Sequence, residues 1–238
     1  MQILNHIIKI HKQHHNHAKN NDICVSIVPI FNHLEKSQMP EITKVTHSAS
    51  YKKGEIIYKA GDQSDSLYIV SKGKIKIYRL SESGKEQLVR ILKDGDFTGE
   101  LALFNESIHE AYAQAMEETE VCIVKRHDLQ KLLLKYPSIS LKVLSEFANR
   151  LDKSEKQTTD FATEKVETRI AKFLIECSDL SDSNEITLPM SKKDLASYLG
   201  TTPETISRKL LYLEEEKLIK QEANKKIKIL NIDDLLLV

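Results

Sequence analysis

Residues 191–219 read S-K-K-D-L-A-S-Y-L-G-T-T-P-E-T-I-S-R-K-L-L-Y-L-E-E-E-K-L-I. Leu195, Ala196 and Leu199 share one side of a short helix, Gly200 breaks it, and Ile206, Leu210 and Leu213 recur at helical spacing on a second. Ser191 is placed to cap the first helix with Asp194 as its partner, Thr202 can cap the second, and Pro203 suits a first helical position that needs no N–H. If Ile206, Leu210 and Leu213 pack inward, Pro203, Glu204, Ser207 and Arg208 face outward. Arg donates in pairs to O6 and N7 of guanine, Glu accepts from N4 of cytosine, and Ser serves either base from a helix laid in the major groove. Two readings fit the stretch: a helix-turn-helix, or an antiparallel helix pair with a solvated face.

Working outward, 238 residues with 40% apolar content can bury a core, and the length accommodates two ordinary domains. Lys and Arg number 35 against 35 Asp and Glu, so no bulk basicity advertises nucleic acid. Cations nevertheless gather at the helix pair: Lys192, Lys193, Arg208 and Lys209 within it, Lys225, Lys226 and Lys228 just after. The acidic run 214–216 then belongs at the far end of the second helix, away from a groove. No apolar run reaches membrane-spanning length, and the early Ile and Leu residues are interrupted by Asn5, His6 and Lys9, unlike a secretory signal. A cytoplasmic protein with no membrane partner is expected.

Five of nine histidines, His6, His11, His14, His15 and His17, fall in an N-terminal arm at residues 1–23. His11, His14 and His15 could share a helical face. No Cys, Asp or Glu stands at ligand spacing before Asp22, so the arm is read as solvated and no metal is expected. Residues 24–136 form the next unit. Between His47 and Arg126 fall six of the seven glycines, spaced between short alternating runs such as S-L-Y-I-V and K-I-K-I-Y-R-L, which predicts a barrel or jelly roll. Helical spacing returns after His127. Leu144, Phe147, Leu151, Ser154, Thr158 and Phe161 step by three and four along a seam at residues 137–162 that either wants a partner helix or packs on its own roll. Residues 163–238 hold a further helix, a short I-T-L-P strand, the helix pair, and K-K-I-K-I-L as one arm of a hairpin. The fold class is α+β.

A roll, a long helix and a helix-turn-helix in that order resemble the CRP/FNR family of bacterial transcription regulators. The most specific segments are G-D-F-T-G-E-L-A-L-F at residues 95–104 and L-G-T-T-P-E-T-I-S-R at residues 199–208. The resemblance implies a cyclic-nucleotide-binding-like roll, a dimerisation helix carrying the seam above, and a C-terminal winged helix-turn-helix. It further implies a homodimer on double-stranded DNA, with RNA polymerase as a protein partner and no catalytic role. Lys192, Thr202, Pro203, Glu204, Ser207 and Arg208 are its expected DNA-contacting residues, and Gly99, Glu100 and Leu101 its expected pocket residues. In cyclic-AMP-binding members an Arg-Ser pair holds the cyclic phosphate. Counting from Gly99 and Glu100, those positions here are Glu110 and Ala111, so a carboxylate stands where a phosphate would sit and cyclic AMP is not expected. E-T-I-S-R resembles the FNR branch, which implies a site like TTGAT-N4-ATCAA.

Oxygen-sensing members hold an iron-sulfur cluster on four cysteines. This chain has only Cys24, Cys122 and Cys177, so no such cluster is expected. Cys24 and Cys122 stand where the FNR-like proteins of lactic acid bacteria carry two thiols proposed to form a reversible disulfide; in a reducing cytosol such a pair would be a sensor. The other reading of both is small buried hydrophobes, and Cys177 is read as core. A roll answering to an unidentified small ligand is the alternative to redox control. A metal-dependent jelly-roll enzyme fits poorly, because only His47 and His109 fall within the roll.

Overall fold

In the strands after residue 45 buried side chains largely alternate with partly exposed ones. The computed structural model describes residues 28–238 apart from Asn105; the histidine-rich arm and Cys24 lie outside the described residues. Helix α1 (Met39–Lys44) leads into β1 (Thr46–Tyr51), β2 (Ile56–Tyr58), β3 (Gln63–Ser64), β4 (Ser66–Lys72), β5 (Ile75–Leu80) and β6 (Glu86–Leu92). Then follow β7 (Phe97–Thr98), a 3₁₀ turn (Glu100–Leu103), β8 (Ser107–Ile108), β9 (Tyr112–Ala115) and β10 (Thr119–Lys125). They form four-stranded sheets of order β1-β10-β4-β7 and β2-β9-β5-β6, with β3 and β8 as a separate pair. Along β10, Cys122 and Val124 join Leu67, Ile69 and Phe97 in one cluster, while Val121 joins Val70, Ile75 and Ile77 in another. The first sheet is therefore covered on both faces, which its run of apolar residues requires.

Helices α2 (Arg126–Lys135) and α3 (Pro137–Thr163) follow, and Leu129, Leu132, Ile139 and Val143 pack into the cluster that holds Cys122. Pro137 both ends α2 and opens α3, at the position where a missing amide hydrogen costs nothing. The seam predicted from Ser140 thus belongs to a helix of 27 residues. One compact unit takes the described residues up to Leu80 with Val89–Ala148; the other takes Ser81–Leu88 and Asn149–Val238.

The second unit contains α4 (Val166–Ser181), β11 (Glu185–Thr187), α5 (Lys192–Tyr198), α6 (Pro203–Glu215), β12 (Ile219–Gln221), β13 (Lys226–Ile229) and α7 (Ile232–Leu236). Its three strands pair antiparallel in the order β11-β13-β12, making a small wing. Asn224 and Lys225, at the centre of the β12–β13 turn, both have positive φ, the twist two-residue hairpins favour. The sequence reading has only one arm of this hairpin and omits α7. Cys177, read as core, is only half-buried, because the buried stripe of Ile170 and Leu174 continues at Ser178 instead. Among the described residues no helix is long and apolar enough to cross a membrane.

Candidate nucleic-acid interface

The helix pair is built by local chemistry. The Ser191 hydroxyl accepts from the Asp194 amide at 3.1 Å and donates to the Asp194 carboxylate, so the cap closes in both directions. Thr202 Oγ1 accepts from the Thr205 amide at 3.2 Å, and Pro203 takes the first turn of α6. Gly200 carries the chain between them at φ +66. Ile206, Leu210 and Leu213 are fully buried. Their burial fixes which way the rest of α6 points: Pro203, Glu204, Ser207 and Arg208 are all exposed. Among the described residues these last three enter no ion pair and no side-chain hydrogen bond, so a ring of donors and an acceptor faces outward. Glu204 also lies in the first turn, where the helix dipole favours an anion.

The nearby cations divide into two sets. Lys193, Lys225 and Lys226 are exposed. Lys209 instead pairs with Glu167 at 3.2 Å, and Lys228 with Glu185 at 2.9 Å. Lys192 donates to the Gln221 side chain at 3.1 Å, and Gln221 in turn donates its backbone and side-chain N–H groups to Glu214. The acidic run at the end of α6 is thus partly structural: Glu214 ties the recognition helix to the wing, while Glu215 and Glu216 remain exposed.

Two supports were not legible in the sequence. Arg169 of α4 donates through Nη1 to the Leu199 carbonyl at 2.7 Å, satisfying a C-terminal carbonyl of α5 across 30 residues of chain. Its guanidinium also lies 5.2 Å over the Phe161 ring. No spacing rule links an arginine to a carbonyl that far away.

The seam residues of α3 fall into three kinds. Leu144 and Leu151 are 57% and 61% exposed, and Phe161 38%. Phe147 is half-buried and meets Phe104 edge-on at 5.7 Å. Ser154 and Thr158 are exposed, with the Thr158 hydroxyl returned to the Ser154 carbonyl. Leu141, absent from the predicted seam, is 69% exposed next to it.

In the roll, Gly99, Glu100 and Leu101 border a cavity of about 200 Å³. Gly99 has φ +81, and a Cβ there would lie 2.3 Å from the Ser66 carbonyl oxygen, so only glycine fits. Arg90 Nη2 donates to Glu100 Oε1 at 2.7 Å, and Glu110 is paired with Arg79 at the rim. His109 is buried and stacked on Tyr58, with ring centroids 3.7 Å apart. Burial holds the imidazole below its ordinary pKa and pushes the Tyr58 hydroxyl up to about 12. Cys122, 1% exposed on the helix-covered face of the sheet, is disulfide-bonded, whereas Cys177 is a thiol.

The family model for the cyclic nucleotide-binding domain matches residues 48–136, and that for the Crp-like helix-turn-helix domain residues 168–237. The probable transcriptional regulator flp of Lacticaseibacillus casei is 37% identical over 212 residues, covering 89% of this chain and 96% of that protein. The transcriptional activator protein Anr of Pseudomonas protegens is 28% identical over 230 residues, 94% of this chain and 93% of that one. The solved structure of FixK2 from Bradyrhizobium japonicum has a TM-score of 0.71 and 28% identity, covering 80% of this chain and 96% of that one. With a nucleotide-binding-type roll followed in sequence by a capped recognition helix and wing, this chain belongs to the CRP/FNR family of DNA-binding transcription regulators.

Proposed function

We propose that the chain acts in the cytoplasm as a homodimer whose two α6 helices enter successive major grooves of a TTGAT-N4-ATCAA inverted repeat. One observation carries the reading: Glu204, Ser207 and Arg208 project side by side from a helix whose opposite face is fully buried. In their roles Arg208 donates to O6 and N7 of a guanine, Glu204 accepts from N4 of a cytosine, and Ser207 bonds to the base between or beside them. Lys192, Thr202 and Pro203 lie at or beside the start of the two helices, where backbone and lysine donors meet phosphate. The apolar exposure of Leu144 and Leu151 supports pairing of α3 with its copy, since leucines at seam positions gain by burial against a second helix. Paired α3 helices set the separation of the α6 helices, and the regulator meets RNA polymerase when so placed at a promoter.

Control is assigned to the thiols. Cys122 is disulfide-bonded and Cys177 is a thiol, and the resemblance to the FNR-like proteins of lactic acid bacteria implies Cys24 as the partner of Cys122. Forming that bond removes two electrons and two protons from the thiols, which pass to a cytosolic disulfide. Three cysteines do not make a four-thiolate cluster, and the Arg79–Glu110 pair puts a carboxylate at the rim of the roll cavity, which repels a cyclic phosphate. Neither an iron-sulfur cluster nor cyclic AMP belongs to this reading, and no catalytic step does. The roll cavity supports a second mode of control, by a small ligand in place of redox.

The test is DNA binding to the TTGAT repeat and to a scrambled duplex, with reduced and oxidised protein, beside Cys24→Ser and Cys122→Ser. The reading expects preference for the repeat, a difference between redox states, and loss of that difference in both variants. Equal binding in every state removes the thiol control and leaves the ligand mode.

A further inference from the structure

A second cavity, of about 360 Å³, lies wholly within the second unit and away from the DNA-reading face. Its walls come from residues 152–161 of α3, residues 169–176 of α4, and Tyr198 and Leu199 at the end of α5. Phe161, Phe173 and Tyr198 supply ring surface, the last two with centroids 5.8 Å apart at 59°. A cavity of roughly 150 Å³ already holds a benzene ring, so this one accommodates a substituted ring.

Most of the charges around it are already paired. Lys156 is paired with Asp152 at 2.8 Å, and Lys172 with Asp160 and Glu164 at 2.7 and 2.9 Å. Among the described residues, Lys153, Arg169 and Glu176 have no such pair, so the unpaired lining charges are two cations and one anion. Arg169 spends Nη1 on the Leu199 carbonyl, and among the described residues its Nη2 makes no hydrogen bond. An arginine that presents a planar fork with a donor unused is matched by a carboxylate. The position also has leverage: a Cβ on Gly200, in the turn between α5 and α6, would lie 3.4 Å from Arg169 Nη1 and 3.6 Å from the Phe161 ring.

We propose that this cavity is an effector site for a small aromatic carboxylate, its ring among Phe161, Phe173 and Tyr198 and its carboxylate on Arg169, with Lys153 adding attraction. The bound acid joins α3 and α4 to the arginine that anchors the end of α5, and so changes how firmly the turn before the recognition helix is held. This inference rests on the DNA-binding reading for its regulatory consequence, not for the binding itself.

Salicylate is the probe, and the absence of tryptophan from the chain leaves its emission clear. Titrated into the full-length protein, salicylate is expected to bind in the sub-millimolar range. Benzyl alcohol, which lacks the carboxylate, should bind at least about tenfold more weakly, and Arg169→Gln should weaken salicylate by a similar factor. Since Arg169 also anchors α5, Lys153→Glu at an exposed position serves as the second variant and should weaken salicylate several-fold. Saturating salicylate should shift affinity for the TTGAT repeat by about fivefold or more. No binding at ten millimolar, or unchanged binding in Lys153→Glu, overturns the site; binding with no shift in DNA affinity overturns its role as an effector site. A protein that binds salicylate but no DNA would instead refute the regulator reading, and the two failures are told apart.

Discussion

The recognition helix and the roll cavity both gather polar side chains, and they treat them oppositely. On α6, Glu204, Ser207 and Arg208 point outward without partners among the described residues, while in the roll Arg90 is bound to Glu100, Arg79 to Glu110 and Tyr58 to Thr98. A surface whose donors are unspent gains by meeting base edges; a cavity whose ions already hold one another must give up those bonds to admit a charged guest. The difference ranks the two ends by readiness to bind, and several substitutions test the ranking.

The largest effect is expected behind the reading face. Leu210→Ala removes a fully buried side chain from the stripe that orients α6, and should cost about 2–5 kcal/mol of stability in denaturant unfolding. A cost near zero would mean that the inward face does not set the outward one, and the comparison would break there. Next comes Arg208→Ala, expected to weaken binding to the TTGAT repeat by about 1–3 kcal/mol and to relax discrimination at one base pair. Exposed Lys226→Ala should instead weaken repeat and scrambled duplexes alike and flatten the salt dependence. If a quantitative footprint of the Arg208 variant keeps full specificity, the arginine does not read a base. Thr202→Ala deletes the cap of α6 and should cost about 1 kcal/mol of stability. Its DNA affinity should fall with it, because Glu204 sits in that first turn and Ser207 and Arg208 in the next.

What was legible follows the range of the forces involved. The caps at Ser191 and Thr202, the proline start and the 206-210-213 stripe are set within a few residues of one another, so spacing alone exposes them. The existence of the roll was also legible, from alternation and from glycines that all adopt positive φ. Its pairings were not: β1 meets β10 so that Ser48 lies opposite Cys122, 74 residues on, and nothing local encodes that partner. The same holds at the site. Arg169 under Leu199, and Gln221 under Glu214, are side chains chosen by tertiary contact, and an arginine on an amphipathic helix reads only as solvated until its carbonyl is seen. In the sequence Glu110 reads as an obstacle to a phosphate, but its engagement with Arg79, from a neighbouring strand segment, is a tertiary contact that no local spacing encodes.

That pair supplies the smallest and sharpest effect. Arg79 and Glu110 are 58% and 65% exposed, so water screens their attraction and the pair contributes no more than about 1 kcal/mol. Glu110→Gln should therefore leave the unfolding free energy nearly unchanged. It should nevertheless alter the roll end of the comparison, because Arg79 keeps its charge while the competing carboxylate is gone, and the cavity rim becomes net positive. Weak binding of phosphate or cyclic AMP, undetectable in the parent protein, is then expected in a calorimetric titration of the variant and should fade as salt is raised. If Glu110→Gln loses several kcal/mol, the pair is a structural brace and not a stand-in for an anion. If it stays stable yet attracts no anion, the bonded Arg90 and Glu100 deeper in the cavity are enough by themselves to keep a charged guest out.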